Sequence, residues 1–278
     1  MSDRIGPDDG SDGVPNRPTS PGEPTAEEPK RRSPLYAVLG AVLVAVGGMA
    51  GAALFGGVTF VVISALGVPL SPVGSFGLSF IAGSAGFVSV SYLYLRRRVA
   101  DPVGYVGIAV PSLRELVWVV GGYVGAMSLV VIAAMILTLI QVDPETTNQA
   151  AQAGLERPAL LLWLVPLSFF VIAPGEEILF RGTVQRRLRE AFPAWTAIPL
   201  TAALFALLHF FSLTGGAGGR FVAIGVLFLP SLVFGTIYEY TDNIVVPILV
   251  HGAYNSTLVL LVYLTIQMGS AEELAVLL

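Results

Sequence analysis

Seven stretches of this chain run for about twenty residues or more with almost no charge, and this pattern limits the fold more than any other feature. A helix that crosses a bilayer needs about 20 mostly apolar residues. Lipid offers nothing to an unpaired amide, so a spanning segment must satisfy its own backbone, as a helix does. The runs are 34–66, 72–95, 115–140, 159–181, 194–213, 221–240 and 244–268. They predict an all-α, polytopic membrane bundle of about seven transmembrane helices. Composition agrees: 12% of the 278 residues are charged, half of the roughly 25% usual in soluble domains. The first run is long for one span and too short for two with a turn, which predicts a single tilted helix. Within it, Gly47 and Gly51 form a small-xxx-small pair, read either as a surface that lets a second helix approach closely or as the ordinary frequency of glycine in membrane helices.

Ahead of the first run the sequence changes character. Residues 1–29 hold seven acids (Asp3, Asp8, Asp9, Asp12, Glu23, Glu27 and Glu28) among many Pro, Gly and Ser. Such a segment cannot bury enough apolar surface to offset its ordering entropy. A disordered acidic tail is therefore expected over 1–33, followed by a transmembrane domain over 34–278 with no internal repeat. The apolar run begins too late, and is too long, for a secretory signal peptide.

Cytoplasmic loops collect Lys and Arg. Placing the tail inside gives the cytoplasm Lys30, Arg31, Arg32, Arg96, Arg97, Arg98, Arg114, Arg181, Arg186, Arg187 and Arg189, and leaves the outside only Arg157 and Arg220. The expectation is a multi-pass protein of the cell membrane with a cytoplasmic N-terminus and an external 141–157 loop. Cysteine is absent, which removes disulfides, thiolate metal sites and a cysteine nucleophile.

Charged or strongly polar side chains at membrane depth cost about 2.5–3.5 kcal/mol even on insertion scales, so each is a functional suspect. Few qualify: Glu176, Glu177 and Arg181 in the fourth span, His209 in the fifth, and His251 with Asn255 in the seventh. Pro174 and Gly175 loosen the helix just before the acids and free backbone carbonyls there. Glu177 and Arg181 stand four apart and share a face, so one reading of Glu177 is a structural ion pair. Glu176 lies roughly 100° round the helix from it and has no local partner, a condition that suits a general base. Phe205 and His209 share a face, as do His251 and Asn255. Either histidine alone reads as a packing or interhelical hydrogen-bonding residue. Together, His251 and Asn255 can both donate to an oxyanion in a low-dielectric cavity.

These motifs, in this order and in separate spans, resemble the CPBP intramembrane protease family, which includes the type II CAAX prenyl proteases and the Abi proteins. The likeness rests on Glu176-Glu177-x-x-x-Arg181, Phe205-x-x-x-His209 and His251-x-x-x-Asn255, with Gly235, Tyr238, Thr241, Asn243 and Pro247 between them. It covers about 159–260. The resemblance implies an intramembrane endopeptidase acting on a membrane-associated polypeptide in a cavity open to the cytoplasm. Glu176 would activate a water that His209 also holds, His251 and Asn255 would stabilise the oxyanion, and Glu177 with Arg181 would fix the helix, beside Phe205. A metal-free glutamate mechanism with no cofactor is the leading expectation; the zinc alternative would use Glu176, His209 and His251. No nucleic-acid partner is expected, and oligomeric state is not legible. A transporter or proton relay is the competing class, and a non-catalytic scaffold of the same fold is a third.

One geometric tension remains. Glu176 falls near the cytoplasmic end of its apolar run, whereas His209 lies some 15 residues into the next, about 22 Å along a helix. The catalytic reading therefore predicts that the basic stretch 182–192 dips into the membrane before the fifth span begins.

Overall fold

In the computed structural model the described residues are 33–143 and 146–268, and all of them belong to one compact unit. The expected tail over 1–33 lies outside them except for Ser33. Among the described residues, seven helices are long and apolar enough to cross a membrane, at the places where the apolar runs stand. They are α1 (Pro34–Ala65), α2 (Pro72–Leu95), α4 (Leu113–Leu139), α6 (Ala159–Arg189), α7 (Ala194–Leu208), α8 (Ala217–Thr241) and α9 (Val245–Gln267). Two short helices join them: α3 (Pro102–Val106) and α5 (Gln149–Glu156). Large apolar side chains such as Leu43, Val117, Ile132 and Phe170 face outward, while Glu177, Arg181, Gln185 and His251 are buried. This polarity suits lipid outside and a polar site within.

The spans run alternately, so the bundle has two distinct ends. One end gathers Arg96–Arg98 after α2, Arg114 at the start of α4 and Arg186, Arg187 and Arg189 at the close of α6. The other carries Gly67, α5 and the turn between α7 and α8.

Side-chain caps start several helices. Ser71 accepts from the Gly74 amide at the head of α2, and Ser112 with Glu115 forms a reciprocal capping box at the head of α4. Glu115 Oε1 also accepts from Asn243 Nδ2 at 3.1 Å, and Asn243 Oδ1 accepts from the Val245 amide at 3.1 Å. The turn that launches α9 is thus pinned to the head of α4. Gly107 closes the same region. At φ +75° it lies so near the Asp242 carbonyl that a β-carbon has no room, and its own carbonyl accepts from the Ile244 amide.

The first run is a single helix, as its length predicts. Gly51 and Gly86 of α2 let α1 and α2 touch backbone to backbone: a β-carbon at Gly51 would stand 3.1 Å from the Gly86 carbonyl, and one at Gly86 would fall within the Gly51–Ala52 backbone. Gly47 makes only an ordinary contact with Val90.

The largest departure from the sequence expectation concerns the fourth span. Instead of ending near 181 and dipping back, α6 continues as helix through Arg189. Phe180, Arg181, Val184 and Leu188 are all buried on this extension. The charges that looked like a loop are paired, Arg186 with Asp242 and Arg187 with Glu190, and their remaining donors find neutral acceptors: Arg187 Nη2 donates to the Tyr36 carbonyl at 2.8 Å, and Arg186 Nε donates to the Tyr238 hydroxyl at 2.6 Å. The sixth span likewise begins at Ala217 rather than 221.

Candidate active site

The helix α6 is α-helical only in pieces. Two π-helical turns, Ser168–Ile172 and Phe180–Gln185, bracket the α-helical stretch Ala173–Leu179 that carries both glutamates. Pro174 supplies a reason for the first. It cannot donate to the carbonyl four residues back, and its ring crowds that carbonyl, so the preceding turn widens. The Val171 carbonyl in that turn accepts from Ser84 Oγ of α2 at 2.7 Å. Gly175 makes this docking possible, since a β-carbon there would meet Ser84 Oγ at 2.6 Å. In the second wide turn Thr183 Oγ1 reaches back five residues to the Ile178 carbonyl at 3.0 Å. The two wide turns thus stand on either side of the stretch that carries Glu176 and Glu177, and in each a side-chain hydroxyl reaches a backbone carbonyl.

The longer α6 also removes the depth conflict. Glu176 stands 13 residues before Arg189 and His209 stands 15 after Ala194. Across the short turn between the helices these are comparable depths, about 20 Å and 22 Å at 1.5 Å per residue. Glu176, His209, His251 and Asn255 all line one cavity of about 380 Å³, together with Phe205, Phe234 and Tyr254.

The two neighbouring glutamates differ sharply. The Glu176 side chain is 16% exposed and faces the cavity. Glu177 is fully buried, and its Oε1 accepts from Arg181 Nη1 at 3.0 Å and from His251 Nδ1 at 2.7 Å. The i,i+4 pair expected from spacing is present. No local spacing signals the second bond, which reaches 74 positions along the chain. Arg181 also donates to the Ser231 carbonyl at 2.9 Å and to Ser231 Oγ at 2.7 Å, and its guanidinium lies over the rings of Phe205 and Phe234 at 5.0 and 5.4 Å. Ser231 and Phe234 of α8 were missed, because a serine and a phenylalanine in an apolar helix carry no signal of their own.

Each histidine is held by its Nδ1. The Phe205 carbonyl, 2.8 Å from His209 Nδ1, can only accept, so that nitrogen carries the proton and Nε2 keeps its lone pair in the neutral ring. His251 Nδ1 faces the Glu177 carboxylate in the same manner, and its Nε2 lies 3.7 Å from Glu176 Oε2. Phe234 stacks on the His251 ring at 4.9 Å, and Phe205 meets it edge-on at 6.0 Å. Gly252 lets α9 press against α6, where a β-carbon would strike the Phe169 ring at 2.6 Å. Among the described residues, no three His, Cys, Asp or Glu side chains are arranged to hold a metal ion. The zinc set of Glu176, His209 and His251 shares the cavity without forming such a cage.

The cavity reaches one end of the bundle only. Its lining climbs from Glu176 through Ile172 and Ser168 to Asn148 and Gln149 at α5 and Ser212 after α7. These are residues of the end opposite the arginines. A mouth on the cytoplasmic side and a cytoplasmic N-terminus were both expected, and this geometry makes the two incompatible.

Residues 158–257 match the family model of the type II CAAX prenyl endopeptidases, Rce1-like. The matched segment is just over a third of the chain and includes every motif residue from Glu176 to Asn255. It coincides with the 159–260 stretch read from the motifs as CPBP-like, and it aligns that stretch with a family of membrane endopeptidases. No curated protein and no solved structure matches the chain.

Proposed function

We propose, from the premise that residues 158–257 are Rce1-like, that this protein is an intramembrane endopeptidase that hydrolyses a peptide bond of a membrane-associated polypeptide without a metal. The observation that carries the reading is the division of labour between adjacent carboxylates. Glu176 meets the cavity, while Glu177 is consumed behind it by Arg181 and His251.

A water bound between Glu176 and His209 gives its proton to the Glu176 carboxylate as its oxygen attacks the scissile carbonyl carbon. The carbonyl π electrons move onto the oxygen, and the oxyanion is met by the Asn255 amide and by a proton on His251 Nε2. Glu177 beneath His251 holds the ring through Nδ1 and fixes its orientation. Collapse of the tetrahedral intermediate breaks the C–N bond, and the proton held by Glu176 passes to the leaving amine. Phe205 and Phe234 wall the histidines from lipid and keep these interactions in a low dielectric.

The test is Glu176→Gln in purified protein against a membrane-peptide substrate. Removal of a general base lowers turnover by about 10²–10⁴-fold, with helical content unchanged, and a chelator leaves wild-type turnover intact. Unchanged turnover in the variant excludes Glu176 as the base. Loss of turnover to a chelator with recovery on zinc would establish the metal alternative. Proton-coupled flux in liposomes without any cleavage would favour a transporter.

A further inference from the structure

The cavity and the charge distribution point in opposite directions along the bundle. Beyond Glu176 toward the arginine end, Phe180, Arg181, Val184 and Leu188 of α6 are buried, Arg181 is locked to Ser231 of α8, and the clefts lined by Thr183, Gln185, Arg186, Arg187 and Arg189 share no residue with the cavity. Toward the other end the cavity is lined by Phe80, Leu164, Leu227, Leu258 and Val259 up to a rim of Asn148, Gln149 and Ser212, uncharged among the described residues. The rim is built, since the Gln149 amide donates to the Ser212 carbonyl and the Thr214 amide to the Thr147 carbonyl, both at 2.9 Å. Short loops rich in arginine stay in the cytoplasm. The closed end has the Arg96–Arg98 run, Arg114 and three arginines at the end of α6, against Arg157 and Arg220 at the open end.

We propose that the active-site cavity opens on the extracytoplasmic face, and that its substrate is a membrane-anchored polypeptide presenting an uncharged, extended segment on that face next to its anchor. This rests on the hydrolase reading above. A side chain with a full charge entering the apolar part of the cavity would find no opposite charge before Glu176, at the cost known for membrane depth. A lipidated C-terminus in the cytoplasm would have to pass through the packed arginine half to reach Glu176.

The sequence contains no cysteine, so single cysteines report sidedness directly. Gly216→Cys stands at the open end, where a β-carbon meets nothing within 4 Å, and Ala100→Cys is exposed at the arginine end. A membrane-impermeant maleimide added to intact cells is expected to label position 216 fully, and position 100 only after permeabilisation. The reverse pattern overturns the proposal and leaves the Glu176 chemistry untouched. The substrate class is read from protein termini in membranes of wild-type and Glu176→Gln cells. Cleavage sites lost in the variant are expected on extracytoplasmic segments rich in uncharged residues. Lost sites on cytoplasmic segments overturn the proposal. If no terminus depends on Glu176, the hydrolase reading fails and the substrate class with it, while the labelling result still decides where the cavity opens.

Discussion

The two halves of α6 obey opposite rules although they belong to one continuous helix. The half that begins at Ala159 borders a cavity, with Ser168, Ile172 and Glu176 along its wall. The half that ends at Arg189 is buried from Phe180 to Gln185 and draws hydrogen-bond partners from other helices: Arg181 from Ser231, Gln185 from the Gly235 carbonyl at 3.0 Å, and Arg187 from the Tyr36 carbonyl. Glu176 sits where the helix passes from wall to core: it lines the cavity, and the residue after it is held by Arg181 and His251. On the proposed mechanism, a charge in the buried half acts on stability, and a polar group on the cavity wall acts on turnover.

Substitutions can break that distinction. The largest stability effect is expected from Arg181→Ala, which leaves the buried Glu177 carboxylate without its guanidinium. Loss of one partner of a buried ion pair costs about 3–5 kcal/mol, read as a fall in the unfolding midpoint in detergent. Retained stability would mean that Glu177 is protonated and the pair carries little. On the cavity side, Asn255→Ala should lower kcat by about 10²–10³-fold, the effect of removing one oxyanion donor, with the unfolding midpoint unchanged. A rise in KM alone would make Asn255 a substrate-binding residue instead.

Smaller effects sharpen the boundary. Gly86→Val forces α1 and α2 apart where their backbones touch and should destabilise by about 1–3 kcal/mol, the usual range for overpacking, seen by thermal unfolding. Ser84→Ala removes the side-chain hydrogen bond to the Val171 carbonyl in the first wide turn. Buried interhelical hydrogen bonds in membranes average about 0.6 kcal/mol, so stability should barely move. If turnover falls more than stability does, the wide turn positions Glu176 rather than merely tolerating Pro174.

Much of this organisation is legible in the chain because hydropathy and helical spacing are local signals. The seven spans, the Glu177–Arg181 pair and the close approach at Gly51 all follow from residues within a few turns of one another. The polar residues of the site are legible for the same reason, as each stands out against an apolar background. The bond from Glu177 to His251 is not, since only the packing of α9 on α6 brings them together. The true length of α6 is hidden by a related effect. Hydropathy scores Arg186 and Arg187 by their own preference for water, and cannot register a tyrosine hydroxyl or a backbone carbonyl supplied from about 50 and 150 positions away. The direction in which the cavity opens belongs to the same class. Placing Glu176 at a span end made the cytoplasm look near; the helix that continues past it closes that route.

The most direct measurement sets the two glutamates side by side in one preparation: turnover and unfolding midpoint for Glu176→Gln and Glu177→Gln. Glu176→Gln is expected to lose turnover by about 10²–10⁴-fold and keep its midpoint, whereas Glu177→Gln is expected to lower the midpoint, because Arg181 and His251 lose their shared acceptor. A Glu176 variant with full turnover, or one whose midpoint falls as far as that of the Glu177 variant, would contradict the assignment of catalysis to the first carboxylate and of rigidity to the second.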